Sequence, residues 1–321
     1  MKIPELRDAL QGRSADDLRL ITVELYRRIP KKIIEEKNLD HLIQDPQEYL
    51  AAAKRPKPVE LPDVEYLAFE VEQFVSDALQ QYYFAPNSFI HKSERPKWRF
   101  HVKRFHRELM SLMADPEARV EVSRLLDELF ELMCYAEEVI LFSSQEPFES
   151  IGIPKDSFFR DVIRAQRAAA ADHRWIRQAV ETLLRNARPF GGRLIRQLVA
   201  ELTTNPLREE GLRTVVEVFK DRPTPRARTR KAEPRHQTEH LAELALRICL
   251  AMKEYDRGIA FYLKHNAAYN DEVAVYILLS ILREHHLPDL WLREYEAAIR
   301  SGVPLRDGLR REYKAMKAEN Q

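Results

Sequence analysis

Apolar residues recur at intervals of three and four along almost the whole chain, and that period commits it to α-helix. Trp98, Val102, Phe105, Leu109 and Leu112 form one narrow stripe over residues 97–114. Leu67, Val71, Phe74, Val75 and Leu79 mark a second over 63–84. Glycine is scarce, 8 residues in 321, which leaves little for phosphate-cradling loops, Rossmann turns or hairpins. Asp307-Gly308 sits among polar and basic residues rather than between alternating β-branched ones. The predicted class is all-α and multi-helical.

Punctuation divides the pattern. Ser14, followed three residues later by Asp17, opens a helix that runs to Arg28 and stops before Pro30. Shorter helices are expected over 31–38 and 46–54. Residues 54–63, KRPKPVELPD, carry three prolines and read as a connector. Helices are then expected over 63–84, 97–114, 116–142, 157–188 (as one or two), 194–204 and 206–220. Residues 221–236 hold Pro223, Pro225 and Pro234 with six basic residues against two acidic ones, the composition of a linker. Beyond it, Leu241, Leu244, Ala245, Ile248 and Met252 line one helix face, with Leu246 and Leu250 on the other. Residues 272–283 are apolar almost all round. Both patterns suit stacked helices with neighbours on two sides. The expected organisation is a small N-terminal helical region (1–55), a central helical domain (63–220), a basic linker (221–235) and a solenoid-like domain (236–321).

The charge balance is 52 − 51 = +1, so no global field draws the chain to nucleic acid or a membrane surface. Cys134 and Cys249 lie in apolar helical stretches, the setting of reduced core thiols. The first twenty residues lack a signal-peptide core, and no stretch reaches the length of a membrane span. A cytoplasmic protein with no membrane partner is expected.

In the last third, Tyr255, Gly258, Tyr262 and Asn270 fall near the aromatic, small, aromatic and helix-stopping positions of a tetratricopeptide repeat. Pro288, Trp291, Tyr295, Ala298 and the Val303-Pro304 turn recur about 33 residues later, close to that family's period. This region resembles degenerate tetratricopeptide-like helical repeats, over about a quarter of the chain. It departs from them at Ala242, His265 and Trp291, where the family has a large aromatic and two small residues. The resemblance implies stacked helix pairs around a concave peptide-binding groove, with Tyr255, Tyr262, Tyr276, Trp291 and Tyr295 in or beneath it. Ordinary antiparallel helices would show the same spacing.

The sharpest chemical motif is His236-Gln237-Thr238-Glu239-His240, of the form H-x-x-E-H. On a helix both histidines could reach one zinc ion, with Glu239 polarising a bound water, as in a zinc hydrolase. The third ligand would come from Glu272, Glu284 or Glu312. The alternative is two first-turn histidines facing solvent. His101 and His106 diverge on their helix, and His285 and His286 point apart before Pro288. Neither a G-x-S-x-G elbow nor a phosphate loop is present. Asp127, Glu128, Glu131, Glu137 and Glu138 read as a solvated face. No enzyme activity and no cofactor are expected.

Residues 91–107 hold seven Lys/Arg against one Glu, with Trp98, Phe100 and Phe105 interleaved. Lys97, Arg99, Lys103, Arg104 and Arg107 oppose the apolar stripe, where they could meet phosphates while Phe100 stacks on a base. Arg226, Arg228, Arg230 and Lys231, flanked by Arg222 and Arg235, could act as an ordering strap. The same charges could simply solvate a face and tether domains. Two functions remain: a non-enzymatic helical scaffold or adaptor that binds a protein or peptide, and a nucleic-acid-binding helical protein.

Overall fold

The computed structural model describes residues 2–54, 61–187, 191–221, 233–266 and 270–319. Among them are eighteen α-helices and no strand. Contacts divide the chain into two units, Met1–Glu60 and Leu61–Gln321.

The first unit holds α1 (Ile3–Leu10), α2 (Ala15–Arg28), α3 (Lys31–Glu36), α4 (Leu39–Gln44) and α5 (Pro46–Lys54). Ser14 caps α2 as its spacing predicts, its hydroxyl oxygen accepting from the Asp17 amide at 3.1 Å. The helix expected over 31–38 instead ends early. Asn38 takes a left-handed conformation (φ 47°), which asparagine tolerates, and α4 starts behind it. The Tyr26 hydroxyl donates to Asp40, and the Tyr49 hydroxyl to the Lys37 carbonyl at 2.9 Å. No described side chain of this unit is buried.

The second unit begins with α6 (Val64–Leu79), α7 (Trp98–Leu112), α8 (Arg119–Tyr135), α9 (Pro147–Ile151) and α10 (Lys155–Ala169). All five stripe residues of α7 are buried, against Phe74 of α6 and a Phe142 ring stacked on Trp98 at 4.1 Å. Leu79, at the end of the α6 stripe, is exposed; Ala68 and Ala78 complete the buried face. The 157–188 stretch divides into α10 and α11 (Arg174–Asn186), because Ala170 is extended and Asp172 accepts from the Arg174 amide at 2.9 Å.

Next come α12 (Gly192–Glu201), α13 (Asn205–Lys220), α14 (Glu233–Ala251), α15 (Tyr255–His265), α16 (Asp271–Glu284), α17 (Pro288–Arg300) and α18 (Asp307–Glu319). Helix α14 starts at Glu233, ahead of the expected 236, since a proline in the first turn loses no helical hydrogen bond. It separates two cores. Leu241, Leu244, Ala245, Ile248 and Cys249 belong to the core built from α6–α13, while Ala242, Leu246 and Leu250 belong to that of α15–α18. The helices on either side of the basic segment therefore form one unit.

Glycine permits the tightest approach to α14. A β-carbon on Gly258 would lie 2.7 Å from Cys249 Cβ. Arg247 is buried on the same helix; it donates to Glu243 at 2.7 Å and to Glu284 at 3.0 Å, tying α14 to α16. No helix of the described residues is long and apolar enough to cross a membrane.

Candidate interaction surfaces

The five aromatic residues expected in or beneath a C-terminal groove differ in burial. Trp291 is 1% exposed, and Tyr262 and Tyr295 are also buried. Trp291, Tyr295 and Ala298 are the inward face of α17, so their helical spacing marks core. Tyr295 stacks between Trp291 (5.3 Å) and Tyr313 (4.5 Å). The Tyr262 hydroxyl donates to the Ala274 carbonyl at 3.3 Å, and burial raises its pKa. Tyr255 is half-buried at the start of α15. Only Tyr276 is exposed, with the Arg306 guanidinium 5.4 Å from its ring centre. Tyr276, Ser280 and the edge of Trp291 line a groove of about 370 Å³. Arg306, Arg283 and Glu312 also line it, in the pairs Arg306–Glu272 and Arg283–Glu312, both at 2.8 Å.

On α7 the structure separates cations that the sequence groups together. Arg104 grips Glu70 with two hydrogen bonds, at 2.8 and 3.0 Å, and also faces Glu108. That bidentate pairing raises the Arg104 pKa and spends its charge within the fold. Lys97 pairs with Glu94 at 2.8 Å, and Arg107 lies 3.8 Å from Glu108. Arg99 and Lys103 have no carboxylate partner among the described residues. Phe100 is 57% exposed, with the Arg99 guanidinium 5.1 Å from its ring centre. Arg226, Arg228, Arg230 and Lys231 lie outside the described residues.

The H-x-x-E-H motif closes on itself. His236 Nδ1 lies 3.5 Å from Glu239, leaving that carboxylate facing an imidazole. His240 is only 5% exposed; its Nδ1 has no hydrogen-bond partner, and Gly191, the residue preceding α12, sits against its Nε2 edge. Desolvation, with repulsion from His236 second, lowers its pKa to about 4. Each of the three carboxylates that could complete a zinc site is held by arginine. Glu272 pairs with Arg306, Glu284 with Arg247 and Arg196, and Glu312 with Arg283. No group of three metal-ligating side chains occurs among the described residues. His106, expected to diverge from His101, lies 3.1 Å from Asp161.

The first unit carries seven exposed large apolar side chains among its described residues. On α2, Leu20 is 64%, Val23 50% and Leu25 59% exposed. Leu6, Ile33, Ile43 and Leu50 are exposed on the neighbouring helices. The signal was present in ADDLRLITVELYRR. Leu18, Ile21 and Leu25 make one stripe, of which Leu18 and Ile21 are half-buried, while Leu20 and Val23 lie on the opposite side, so the helix is apolar on two faces. Compared with protein-family models, with curated proteins and with solved structures, the chain finds no match.

Proposed function

We propose that this chain is a non-enzymatic helical scaffold or adaptor that works by binding another protein, with the helices of residues 2–54 as its main contact surface. One observation carries the reading: five helices present leucine, isoleucine and valine side chains, and none of the described ones is buried. Ordering a residue costs roughly 1–2 kcal/mol, and burying a leucine returns about 1.5–3 kcal/mol. Helices without a core therefore gain their stability from a surface that covers them. Helices α14–α17, read as tetratricopeptide-like pairs, would supply a rigid platform and a second, smaller groove at Tyr276. The close approach at Gly258 supports that pairing.

The test compares wild type with the double variant Leu20→Asp, Val23→Asp, whose residues share one side of α2 with position 16. Both carry a photo-crosslinking residue at position 16 and are expressed in the native host. A defined crosslinked partner on wild type, lost from a variant whose second unit retains its thermal transition, is the expected result. Identical crosslinks in both would reject the surface. Anisotropy titrations of labelled RNA and DNA at two salt concentrations address the other reading. Binding that collapses with salt and depends on Arg99 and Lys103 would move the function to α7.

A further inference from the structure

Four residues of α2 lie on one line along its outer side. Asp16, Leu20, Val23 and Arg27 are separated by four, three and four positions, the seam spacing of two helices packed side by side. All four are exposed, Leu20 at 64% and Val23 at 50%, whereas Leu18 and Ile21 on the opposite side are half-buried within the first unit. The line reads acid, apolar, apolar, base, and it is symmetric about the midpoint between Ile21 and Thr22. A second copy of α2 laid antiparallel on the first therefore matches it at every position. Leu20 meets Val23 of the second copy, and Val23 meets its Leu20. Asp16 meets Arg27 at one end, and the same pair recurs at the other.

The charges also choose the direction. Parallel helices would set Asp16 against Asp16 and Arg27 against Arg27, whereas antiparallel ones oppose unlike charges at both ends. Of the remaining charges, Asp17 and Arg28 repeat the acid-to-base order along one flank, with Glu24 between them, and Arg19 stands on the other flank. Asp16 already faces Arg19 at 3.0 Å, and Arg27 faces Glu24 at 2.9 Å. Both are pairs between exposed side chains three residues apart, which hold little free energy against a new partner.

We infer that α2 is a self-association face, through which two copies of the chain pair antiparallel with Leu20 and Val23 at the centre and an Asp16–Arg27 pair at each end. The inference rests on the reading of α2 as a contact surface and names a second copy as its occupant. The apolar part of the seam is one turn long, far less than the roughly 800 Å² per partner of a standard interface, so the dimer is weak.

The experiment is sedimentation equilibrium of the full chain over about 5 to 500 μM, a range that brackets weak association. Wild type should show a monomer–dimer equilibrium with a dissociation constant on the order of 100 μM. Asp16→Arg and Arg27→Asp each set like charges together at both ends, and each alone should weaken the dimer at least tenfold. An equal mixture of the two restores unlike charges at both ends and should dimerise as wild type does, a recovery that a folding defect would not show. Leu20→Asp, Val23→Asp should remain monomeric throughout. Three results overturn the inference: a monomeric wild type, a dimer that survives in the double variant, or single variants that stay monomeric when mixed. A monomeric wild type whose crosslinks from position 16 to a different protein still depend on Leu20 and Val23 rejects the second copy and keeps α2 as a contact surface. A monomeric wild type without such crosslinks rejects both.

Discussion

Taking the protein from pH 7.5 to pH 5 asks whether His240 accepts a proton that its surroundings refuse. The ring is buried, its Nδ1 is unpartnered, and it titrates at about 4 rather than 6.5. Because the folded-state value is depressed, the unfolded chain takes up the proton first as the pH falls. Stability is therefore full above about 6.5, falls between 6.5 and 4, and levels off below. A displacement of roughly 2.5 units corresponds to about 3 kcal/mol in total, of which about 2 kcal/mol is lost by pH 5. His236, one turn earlier, adds repulsion once it is charged, whereas Glu239 and Glu243 on the same helix oppose it. Urea midpoints by circular dichroism at the two pH values, for wild type and His240→Leu, give the double difference. His101, His265 and His285, whose values are also lowered, cancel because both proteins carry them. The variant should lose about 2 kcal/mol less than wild type on acidification. Equal losses would mean that water reaches the ring and that the burial argument is mistaken.

Gly258→Ala sets a helix-propensity gain of about 1 kcal/mol against an overpacking cost of about 1–3 kcal/mol where its β-carbon meets Cys249. The expected sign is destabilising, read as a lower urea midpoint, and a rise would show that α15 can shift. Glu243→Ala leaves buried Arg247 with Glu284 alone and should cost about 3 kcal/mol, whereas Arg247→Met should cost less than half as much. Equal costs would remove the uncompensated charge as the cause. Arg104→Gln frees Glu70 and should destabilise by about 1 kcal/mol, while Arg99→Gln leaves the midpoint unchanged. Elemental analysis of protein purified without chelator should find less than about a tenth of an equivalent of zinc.

Periodicity made the α7 stripe and the two-faced α14 legible, because a helix sandwiched by neighbours must be apolar wherever it meets them. The break between α10 and α11 was not legible as a single choice, since it depends on the Asp172 side chain capturing a nearby amide. Nor could composition locate the charges. Lys97, Arg104 and Arg107 look like a phosphate surface until the fold brings Glu70, Glu94 and Glu108 beside them. The H-x-x-E-H spacing correctly places two histidines on one side of a helix. It carries no information about Gly191, whose missing side chain lets α12 close over His240.

The contrast between α2 and α7 shows what separates an uncovered stripe from a covered one. Both helices are amphipathic, and their apolar residues read alike in one dimension. Helix α7 has 15 residues, and α6 and α8 beside it have 16 and 17, so each offers a wall about as long as the stripe it must cover. Helix α2 has 14 residues, a stripe of about 21 Å at 1.5 Å per residue. Its neighbours α3 and α4 have 6 residues each, about 9 Å apiece, and α4 begins at a left-handed turn that redirects the chain. Two short helices meeting at a bend cannot lie along the full length of α2, so Leu18 and Ile21 are only half-buried and Leu25 of the same stripe stays exposed, while Leu20 and Val23 are exposed on the opposite side. A partner that covers Leu20 and Val23 needs an apolar contact of only about one helical turn, roughly 5 Å along α2, on the side away from Leu18, Ile21 and Leu25.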